Sequence, residues 1–304
     1  MSVAVIYLAR GAGAGLLAVE AFLDSYNKWP AGLEHDLIVL RKGWKGVPGA
    51  EDLGPLVARH GGTLIDLPDD GFDWGAYMRV GRLIDHEWIL FLNSHSRVLC
   101  ENWLKYLHEA AAGTGVGVAG ATGSWGTIRP VLRFIIPTVK KITFSRGLLR
   151  GAYSAVFWIP KALCLWLVRF HRFPTFPNPH LRSNAFLMQR QLFNDFFQQR
   201  NIPKRKRDAW DLESGFNGLT HWVESKNLKA VVVDSGGNQF HSTEWMRART
   251  FRHPQQGGLL IEDNQTRAYD RCSEDERWHM ELSAWGCAAD QVDAEPPLVS
   301  RPLK

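Results

Sequence analysis

The chain has 304 residues, of which 45% are hydrophobic and 22% are charged, the composition of a globular protein with one large domain or two small ones. No stretch reaches the roughly 18 to 20 apolar residues that a membrane-spanning helix requires, and the N-terminus resembles a first strand more than a secretory signal. Four scattered cysteines without a Cys-x-x-Cys pair predict neither a zinc site nor a disulfide framework, so we expect a reducing compartment.

The charges are distributed unevenly along the chain. The net charge is +5, but residues 110–194 contain eleven Lys and Arg and no Asp or Glu. Such segregation predicts contact with an anionic ligand or surface.

Apolar and amphipathic segments alternate through the first 121 residues. The predicted strands cover residues 3–8, 36–40, 63–67, 89–92 and 116–121, and the predicted helices cover 16–26, 52–60, 76–85 and a segment that begins near residue 102. This alternation predicts an α/β fold with a mostly parallel, Rossmann-like sheet, right-handed crossovers and flanking helices.

The fourth predicted strand ends in a cluster of small polar side chains. Its four consecutive apolar residues, 89–92, are typical of a strand that is buried on both faces. Asn93, Ser94 and His95 follow it directly. Because ligands of open α/β sheets bind just beyond the carboxyl ends of the strands, we expect these three side chains to line a crevice.

A glycine-rich loop follows the first strand. Gly11, Gly13 and Gly15 have a Gly-x-Gly-x-Gly spacing, which differs from the Gly-x-Gly-x-x-Gly pattern of dinucleotide-binding proteins. The second strand ends in Arg41 and Lys42, which could contact a 2′-phosphate, instead of the acidic residue of that pattern. The alternatives are an NADP-binding loop, a loop that lines another nucleotide site, and a turn without a ligand.

The pattern changes after residue 128. Residues 128–179 mix apolar and aromatic residues, including Trp158 and Trp166, with Lys and Arg, which is typical of a helix in the plane of a membrane surface. A buried helical subdomain or a dimer interface is the alternative. The remaining predictions are a strand at 183–188, a helix at 193–200, a basic loop at 204–207, a helix at 212–226, a strand at 230–233 and a disordered tail after residue 290.

The segment from Phe91 to Val98, followed by Trp103 and Leu104, resembles the central motif of inverting GT-A glycosyltransferases of the family-2 type. That motif ends a strand with Asp-x-Asp, whose carboxylate holds a divalent cation against the diphosphate of a nucleotide sugar. Here His95 replaces the decisive Asp. The resemblance implies a GT-A fold and a cation such as Mn²⁺ or Mg²⁺, while the altered motif leaves metal dependence open. A hydrogen-bonding or packing role is the alternative for His95.

Two acidic segments extend the resemblance. In the family, an acidic residue after the third strand contacts the nucleobase or ribose, which implies this role for Asp73, with Asp70 second. Asp73 could also cap the helix that follows. An inverting transferase needs a carboxylate that takes the proton of the acceptor hydroxyl. The resemblance implies Glu213 as this base and Asp211 as the runner-up; alternatively, both only complement a helix dipole.

The resemblance also implies residues around the sugars and the metal. In the family, residues near the start of the strand predicted at 183–188 shape the sugar pocket, and a histidine after the last core strand reaches the metal or the diphosphate. The complete predicted site consists of Glu213 and Asp211 as catalytic residues; Ala9, Arg10, Arg41, Asp70, Asp73, Asn93, Ser94 and His95 around the nucleotide sugar; Trp125, Arg182 and Asn184 around the donor or acceptor sugar; and His95 and His241 as candidate metal ligands.

Together with the basic segment, the resemblance implies a hexosyltransferase that moves a sugar, with inversion, from a UDP- or dTDP-sugar to a lipid-linked or polysaccharide acceptor in cell-surface glycan synthesis. We expect a cytoplasmic protein, peripheral on the inner face of the membrane, that does not bind nucleic acid. The predicted units are a nucleotide-sugar-binding half at 1–127, the apolar and basic insertion at 128–179, an acceptor and catalytic half at 180–250, and a closing segment with a flexible tail at 251–304.

Two other functions remain as alternatives at this point. One is an NADP-dependent reductase that uses residues 11–15 and Arg41. The other is a non-enzymatic protein that binds membranes or other anionic surfaces through residues 128–179 and the basic residues 204–207.

Overall fold

The computed structural model describes residues 1–129 and 171–287 of the chain. Within these ranges the strands are β1 (Val3–Arg10), β2 (Asp36–Lys42), β3 (Thr63–Leu67), β4 (Trp88–Leu92), β5 (Arg97–Val98), β6 (Val116–Gly120), β7 (Gly123–Ser124), β8 (His180–Leu181), β9 (Ala185–Gln189), β10 (Lys229–Val233), β11 (Gln239–Phe240) and β12 (Ile261–Glu262). The α-helices are α1 (Gly11–Lys28), α2 (Leu53–Arg59), α3 (Phe72–Leu83), α4 (Trp103–Ala111), α5 (Arg190–Phe197), α6 (Lys206–Ser214), α7 (Leu219–Ser225), α8 (Asn264–Arg271) and α9 (Glu274–Trp285).

Eight of the described strands form one sheet, in the order β11-β10-β6-β9-β4-β1-β2-β3. β1 is parallel to β2 and β4, β2 is parallel to β3, and β6 is parallel to β10. β9 runs antiparallel to both β4 and β6, and β11 runs antiparallel to β10. The predicted mostly parallel α/β sheet with flanking helices is therefore confirmed, whereas most of the predicted insertion, residues 130–170, lies outside the described residues.

Both faces of the sheet are covered by helices. Along β1, alternate residues belong to separate cores, with Ile6 on one face and Val5 on the other. Helices α3, α5 and α7 cover the first face, and α1, α2 and α4 cover the second. This double burial explains why the strands have nearly continuous apolar sequences instead of alternating ones.

Three differences between the predicted and the observed helices bear on the site. α3 begins at residue 72, four residues before the predicted start. The single helix predicted at 212–226 is wrong, because α6 ends at Ser214 and α7 begins at Leu219. A Cβ on Gly215 would lie 2.6 Å from the backbone carbonyl oxygen of Asp211, so this close turn favours glycine. α6 also begins inside the predicted basic loop, at Lys206.

The segment after residue 250 returns to the central strands. β12 pairs antiparallel with β5, which places Glu262 opposite Arg97, just beyond the turn that follows β4. α8 begins two residues later and is capped by Asp263, whose Oδ1 accepts the N–H groups of Gln265 and Thr266, each at 2.9 Å. The predicted closing segment is therefore held against the end of the sheet. The tail predicted after residue 290 lies outside the described residues.

None of the helices in the described part of the chain combines the length and the apolar character needed to cross a membrane.

Candidate functional site

A cavity of about 450 Å³ opens where β1 and β4 end. The chain leaves β1 for β2 on one side and, after β3, returns to β4 on the other side, so the strand order reverses between β1 and β4. In open α/β sheets this reversal forms a crevice at the carboxyl ends of the strands. Because β9 is antiparallel, its beginning lies at the same edge, and Ser183 joins the cavity wall from there.

The turn after β4 places His95 in the cavity wall. Asn93 Oδ1 accepts the backbone N–H of His95 at 2.9 Å and the hydroxyl of Ser96 at 3.1 Å. The hydroxyl of the buried Tyr7, on β1, donates to the carbonyl of Ser94 at 2.8 Å. Asn93, Ser94 and His95 all line the cavity, as predicted from the sequence. Burial lowers the pKa of His95, and the nearby positive charge of Arg267 lowers it further.

The glycine-rich segment after β1 forms another part of the wall. Gly13 and Gly15 have φ values of +86° and +66°, so the first turn of α1 departs from helical geometry at positions that favour glycine. Arg10 lines the cavity beside this turn. Ala9 does not: it is fully buried, and its carbonyl accepts the indole N–H of Trp44 at 2.8 Å.

Asp73 lines the cavity from the first turn of α3. The alternative role as N-cap is wrong, because the residue before the helix is Gly71, with a φ of +70°. Burial raises the pKa of Asp73, and the opposing charges of Lys42 and Arg10 limit that rise. Because Asp73 lies in the first turn of α3, the helix dipole favours its negative charge. Its carboxylate can accept hydrogen bonds from a ligand in the cavity.

Lys42 fixes the segment that carries Asp73. This lysine is 2% exposed, and its Nζ donates to the carbonyl of Asp70 at 2.7 Å and to the carbonyl of Phe72. Burial lowers the pKa of Lys42, whereas the neighbouring carboxylates, that of Asp73 first among them, raise it. Lys42 therefore holds the start of α3, and its positive charge favours the ionised form of Asp73.

We expect Lys42→Met to lower the midpoint of urea-induced unfolding. The variant removes two partly buried hydrogen bonds, each worth about 0.5–1.5 kcal/mol, and it removes the charge that opposes the burial of Asp73. Lys45→Met, which changes an exposed lysine three residues later, serves as the control. Equal unfolding midpoints for the two variants would contradict the structural role of Lys42.

One face of α6 supplies the remaining chemistry. Lys206, Ala209, Trp210 and Glu213 have the i, i+3, i+4, i+7 spacing of a single helical face, and all four line the cavity. Lys206 Nζ lies 5.5 Å from the centroid of the Trp210 ring. Glu213 Oε2 accepts the backbone N–H of Ser183 at 3.1 Å and also the Ser183 hydroxyl. The site thus combines a held carboxylate, an aromatic ring and a cation.

Asp211 lies outside this face. It does not line the cavity, and burial raises its pKa, while the charges of Arg172 and Arg200 act in the opposite direction. Of the two predicted catalytic carboxylates, the structure therefore brings only Glu213 to the cavity formed by the described residues.

Arg41 and Asp70 lie near the site but bind other side chains. Arg41 Nη2 donates to Asp66 Oδ2 on β3 at 2.8 Å, and Asp70 forms an ion pair with Arg79, also at 2.8 Å. Neither side chain lines the cavity. The structure therefore gives Arg41 an ion-pair partner in the place where the reductase alternative needed a free cation for a 2′-phosphate.

The predicted sugar-binding residues make contacts inside the protein. Trp125 donates from Nε1 to the carbonyl of Ser242 at 2.7 Å. Arg182 donates to Asp263 Oδ2 at 2.7 Å, and this pair is 12% and 1% exposed. Asn184 is 2% exposed, and its Oδ1 accepts the hydroxyl of Thr122 at 2.6 Å. None of the three lines the cavity. Their hydrogen bonds instead connect the segments that surround this edge of the sheet.

The candidate metal ligands are not brought together. His95 lines the cavity, whereas His241 is an exposed residue that does not. Across residues 1–129 and 171–287, no group of three or more His, Cys, Asp or Glu side chains could hold a metal ion. His95 and His241 therefore do not form a shared metal site within the described residues.

Sequence reasoning predicted Glu213 but missed Lys206 and Trp210 of α6 and the structural role of Lys42 on β2. The spacing of Lys206, Trp210 and Glu213 was the signal, and the boundaries predicted for a loop and a long helix hid it. Lys42 was considered only as a 2′-phosphate contact, although it extends a strand whose other residues are mostly buried. A lysine at such a position must direct its ammonium to partners inside the protein.

No protein-family model and no curated protein matches the sequence, but solved structures are distantly similar. A 4-diphosphocytidyl-2C-methyl-D-erythritol synthase from Anaerococcus prevotii is 9% identical with a TM-score of 0.45, over 79% of this chain and 92% of that one. The glycosyltransferase GlyE of Streptococcus pneumoniae is 15% identical with a TM-score of 0.45, over 97% of this chain and 64% of that one. A CMP:2-keto-3-deoxy-manno-octonic acid synthetase in complex with CTP is 10% identical with a TM-score of 0.41, over 76% and 89%.

Proposed function

We propose that the protein is a glycosyltransferase that uses a nucleotide-diphosphate sugar. The observation that carries the proposal is the composition of one cavity at the carboxyl ends of β1 and β4. It brings together Glu213, a carboxylate held through one oxygen, Asp73 at a helix N-terminus, and the cations Arg10 and Lys206. Its volume of about 450 Å³ lies within the range of roughly 300–1,000 Å³ that is usual for small-molecule sites.

The geometry of Glu213 suits a general base. Ser183 occupies Oε2, and among the described residues Oε1 makes no hydrogen bond, so it can accept a proton from a ligand. In the proposed reaction, the acceptor hydroxyl attacks the anomeric carbon and gives its proton to Glu213. The bond between that carbon and the diphosphate oxygen breaks, and the nucleoside diphosphate leaves with the electron pair. Because the hydroxyl attacks from the face opposite the leaving group, the anomeric centre is inverted.

Each wall of the cavity has a separate part in this proposal. Asp73 contacts the ribose or nucleobase, the position implied by the family-2 resemblance. Arg10 and Lys206 offset the charge of the diphosphate, and the Trp210 ring provides an apolar surface for a sugar or base. UDP- and dTDP-sugars are the proposed donors.

The proposed acceptor is argued from the sequence alone. Residues 128–179 are rich in apolar, aromatic and basic residues, and this composition supports an acceptor at an anionic membrane surface. We therefore include in the proposal a lipid-linked or polysaccharide acceptor and a peripheral position on the cytoplasmic face of the membrane. Most of this segment, residues 130–170, lies outside the described residues, so this part remains a prediction.

A thermal-shift comparison tests the proposed function. We expect UDP or dTDP to raise the melting temperature more than CMP, GDP or NADPH does, because these are the nucleotides of the proposed donors. A ligand at 100 times its Kd stabilises the folded state by about 2.7 kcal/mol, so its binding gives a measurable shift. The measurement is made with the full chain, with Mn²⁺ and with EDTA. A shift with NADPH and none with any nucleoside diphosphate would remove the transferase proposal and favour a reductase.

A further inference from the structure

A second recess, of about 220 Å³, adjoins the main cavity. Gly13, Ala14 and His95 line both, so the two spaces share a wall. Two guanidinium groups, those of Arg97 and Arg267, line the recess, and no acidic side chain does. A ligand in the main cavity would therefore meet a concentrated positive charge at this side.

The two arginines are held in place by the closing segment. Glu262 Oε1 accepts a hydrogen bond from Arg267 Nη1 at 2.9 Å and lies 3.9 Å from Arg97 Nη1. The pairing of β12 with β5 sets Glu262 opposite Arg97 in the ladder. Arg267 Nη1 also donates to the carbonyl of His95 at 3.1 Å. The turn that carries His95 and the basic recess therefore form one connected structure.

Both arginines keep donors for a ligand. The hydrogen bonds of Arg267 to described residues leave from Nη1, so its Nε and Nη2 are free to donate. The Arg97 side chain is 42% exposed, and its ion pair with Glu262 is long, at 3.9 Å. One glutamate between two arginines leaves a net positive charge at the recess. A planar guanidinium with free donors matches the oxygens of a phosphate group in a bidentate way.

The described residues do not fit the divalent cation that the sequence resemblance implies. The position of the ligating Asp is His95, and Glu213 Oε2 is already engaged by Ser183. The part of the chain that the structure describes holds no cluster of three metal-ligating side chains. Side-chain cations close to the cavity can balance the charge of a bound diphosphate in place of such an ion.

We propose that Arg97 and Arg267 bind the phosphate groups of a nucleoside diphosphate and supply the charge that a divalent cation provides in transferases with the intact motif. This inference rests on the proposed function and deepens it. It explains why an imidazole is tolerated at position 95, since a second route balances the charge. It also gives α8, which lies in the closing segment and carries Arg267, a role in binding the donor.

Isothermal titration with UDP and uridine tests the proposal. We expect the full-length protein to bind UDP more tightly than uridine, and equally well in EDTA and in Mn²⁺. The double variant R97Q/R267Q should bind UDP about 10- to 100-fold more weakly, the effect of losing one or two charge-assisted hydrogen bonds, while its affinity for uridine stays unchanged. The variant R97K/R267K, which keeps the charge but loses the fork, is expected to lie between the two, and it preserves the test if the glutamine variant does not fold.

Arg247→Gln is the matched control. Arg247 forms an exposed ion pair with Glu244, at 3.2 Å, and lines neither the main cavity nor the recess. It should bind UDP as the unmodified protein does. UDP binding that requires Mn²⁺, or a double variant with unchanged UDP affinity, overturns the inference while the proposed function stands. A double variant that loses affinity for farnesyl diphosphate but not for UDP also overturns it, because the recess then serves a lipid acceptor. Failure of the unmodified protein to bind any nucleoside diphosphate in either condition removes the proposed function as well.

Discussion

The proposed function predicts that Glu213→Gln abolishes sugar transfer while nucleotide binding remains intact. The substitution keeps the size of the side chain and an oxygen that can accept from Ser183, but it removes the basic oxygen. Loss of a general base lowers the rate by roughly 100- to 10,000-fold. The rate is measured as the release of UDP or dTDP from a UDP- or dTDP-sugar. A thermal-shift titration with the same nucleotides reports binding.

Two further variants separate the role of Glu213 from a general effect on α6. Asp211→Asn removes a carboxylate from the same helix but from a side chain that does not line the cavity, so its rate should change little. Glu213→Asp retracts the carboxylate by one methylene, and a misplacement of about 1 Å is enough for a 100-fold loss. If Asp211→Asn proved as inactive as Glu213→Gln, or if Glu213→Gln retained more than a tenth of the activity, the base would have to be sought elsewhere.

The strands and the turn after β4 were predictable because their causes are local. A strand buried on both faces needs apolar residues at every position, and residues 89–92 provide them. The polar residues that follow cannot continue such a strand, so Asn93 and His95 mark its end. Their meeting with the loop after β1 then follows from the general rule that parallel strands end at one edge of a sheet.

Contacts between distant parts of the chain were not predictable from the same signals. Arg182 and Asp263 are far apart in sequence, and neither has a local pattern that indicates the other. The direction of β9 is set by its pairing with β4 and β6, and a single strand carries no mark of it. For this reason Arg182 was predicted as a sugar contact, although the structure gives its guanidinium a buried partner.

The α6 region shows how a boundary error conceals a site. When 204–207 is taken as a loop and 212–226 as a helix, Lys206 and Trp210 share no face with Glu213. When the helix begins at Lys206 and ends before Gly215, the three become neighbours at four- and three-residue intervals. The glycines at 215 and 218 were the available signal, because two glycines within four residues weaken any continuous helix.

Arg182→Gln should strongly destabilise the protein. Asp263 is 1% exposed, and its carboxylate both pairs with Arg182 at 2.7 Å and caps α8. Removing one member of a buried ion pair leaves an uncompensated charge and costs about 3–5 kcal/mol. We therefore expect a clear fall in the free energy of unfolding, measured by urea denaturation at neutral pH. A sugar-binding role for Arg182 predicts instead weaker substrate binding with unchanged stability.

The pH dependence of this effect has a definite sign. Burial alone would raise the pKa of Asp263, but the charge of Arg182 and the hydrogen bonds from Thr266 and Gln265 outweigh it and lower the pKa below its ordinary value. A carboxyl group whose pKa is lower in the folded state contributes stability above its unfolded pKa, and this contribution is lost as the pH falls through the folded pKa. The difference between the unmodified protein and Arg182→Gln should therefore be full at neutral pH and shrink below about pH 4.

Arg247→Gln again provides the comparison, because its ion pair with Glu244 is exposed and such pairs contribute about 0–1 kcal/mol. A large stability loss in Arg182→Gln, a small one in Arg247→Gln and convergence of Arg182→Gln with the unmodified protein in acid would together identify the buried pair as the support of the closing segment. Because that segment also carries Arg267, loss of the pair should loosen the recess as well. Equal stability of the two variants at pH 7 would show that Arg182 is free to contact a substrate after all.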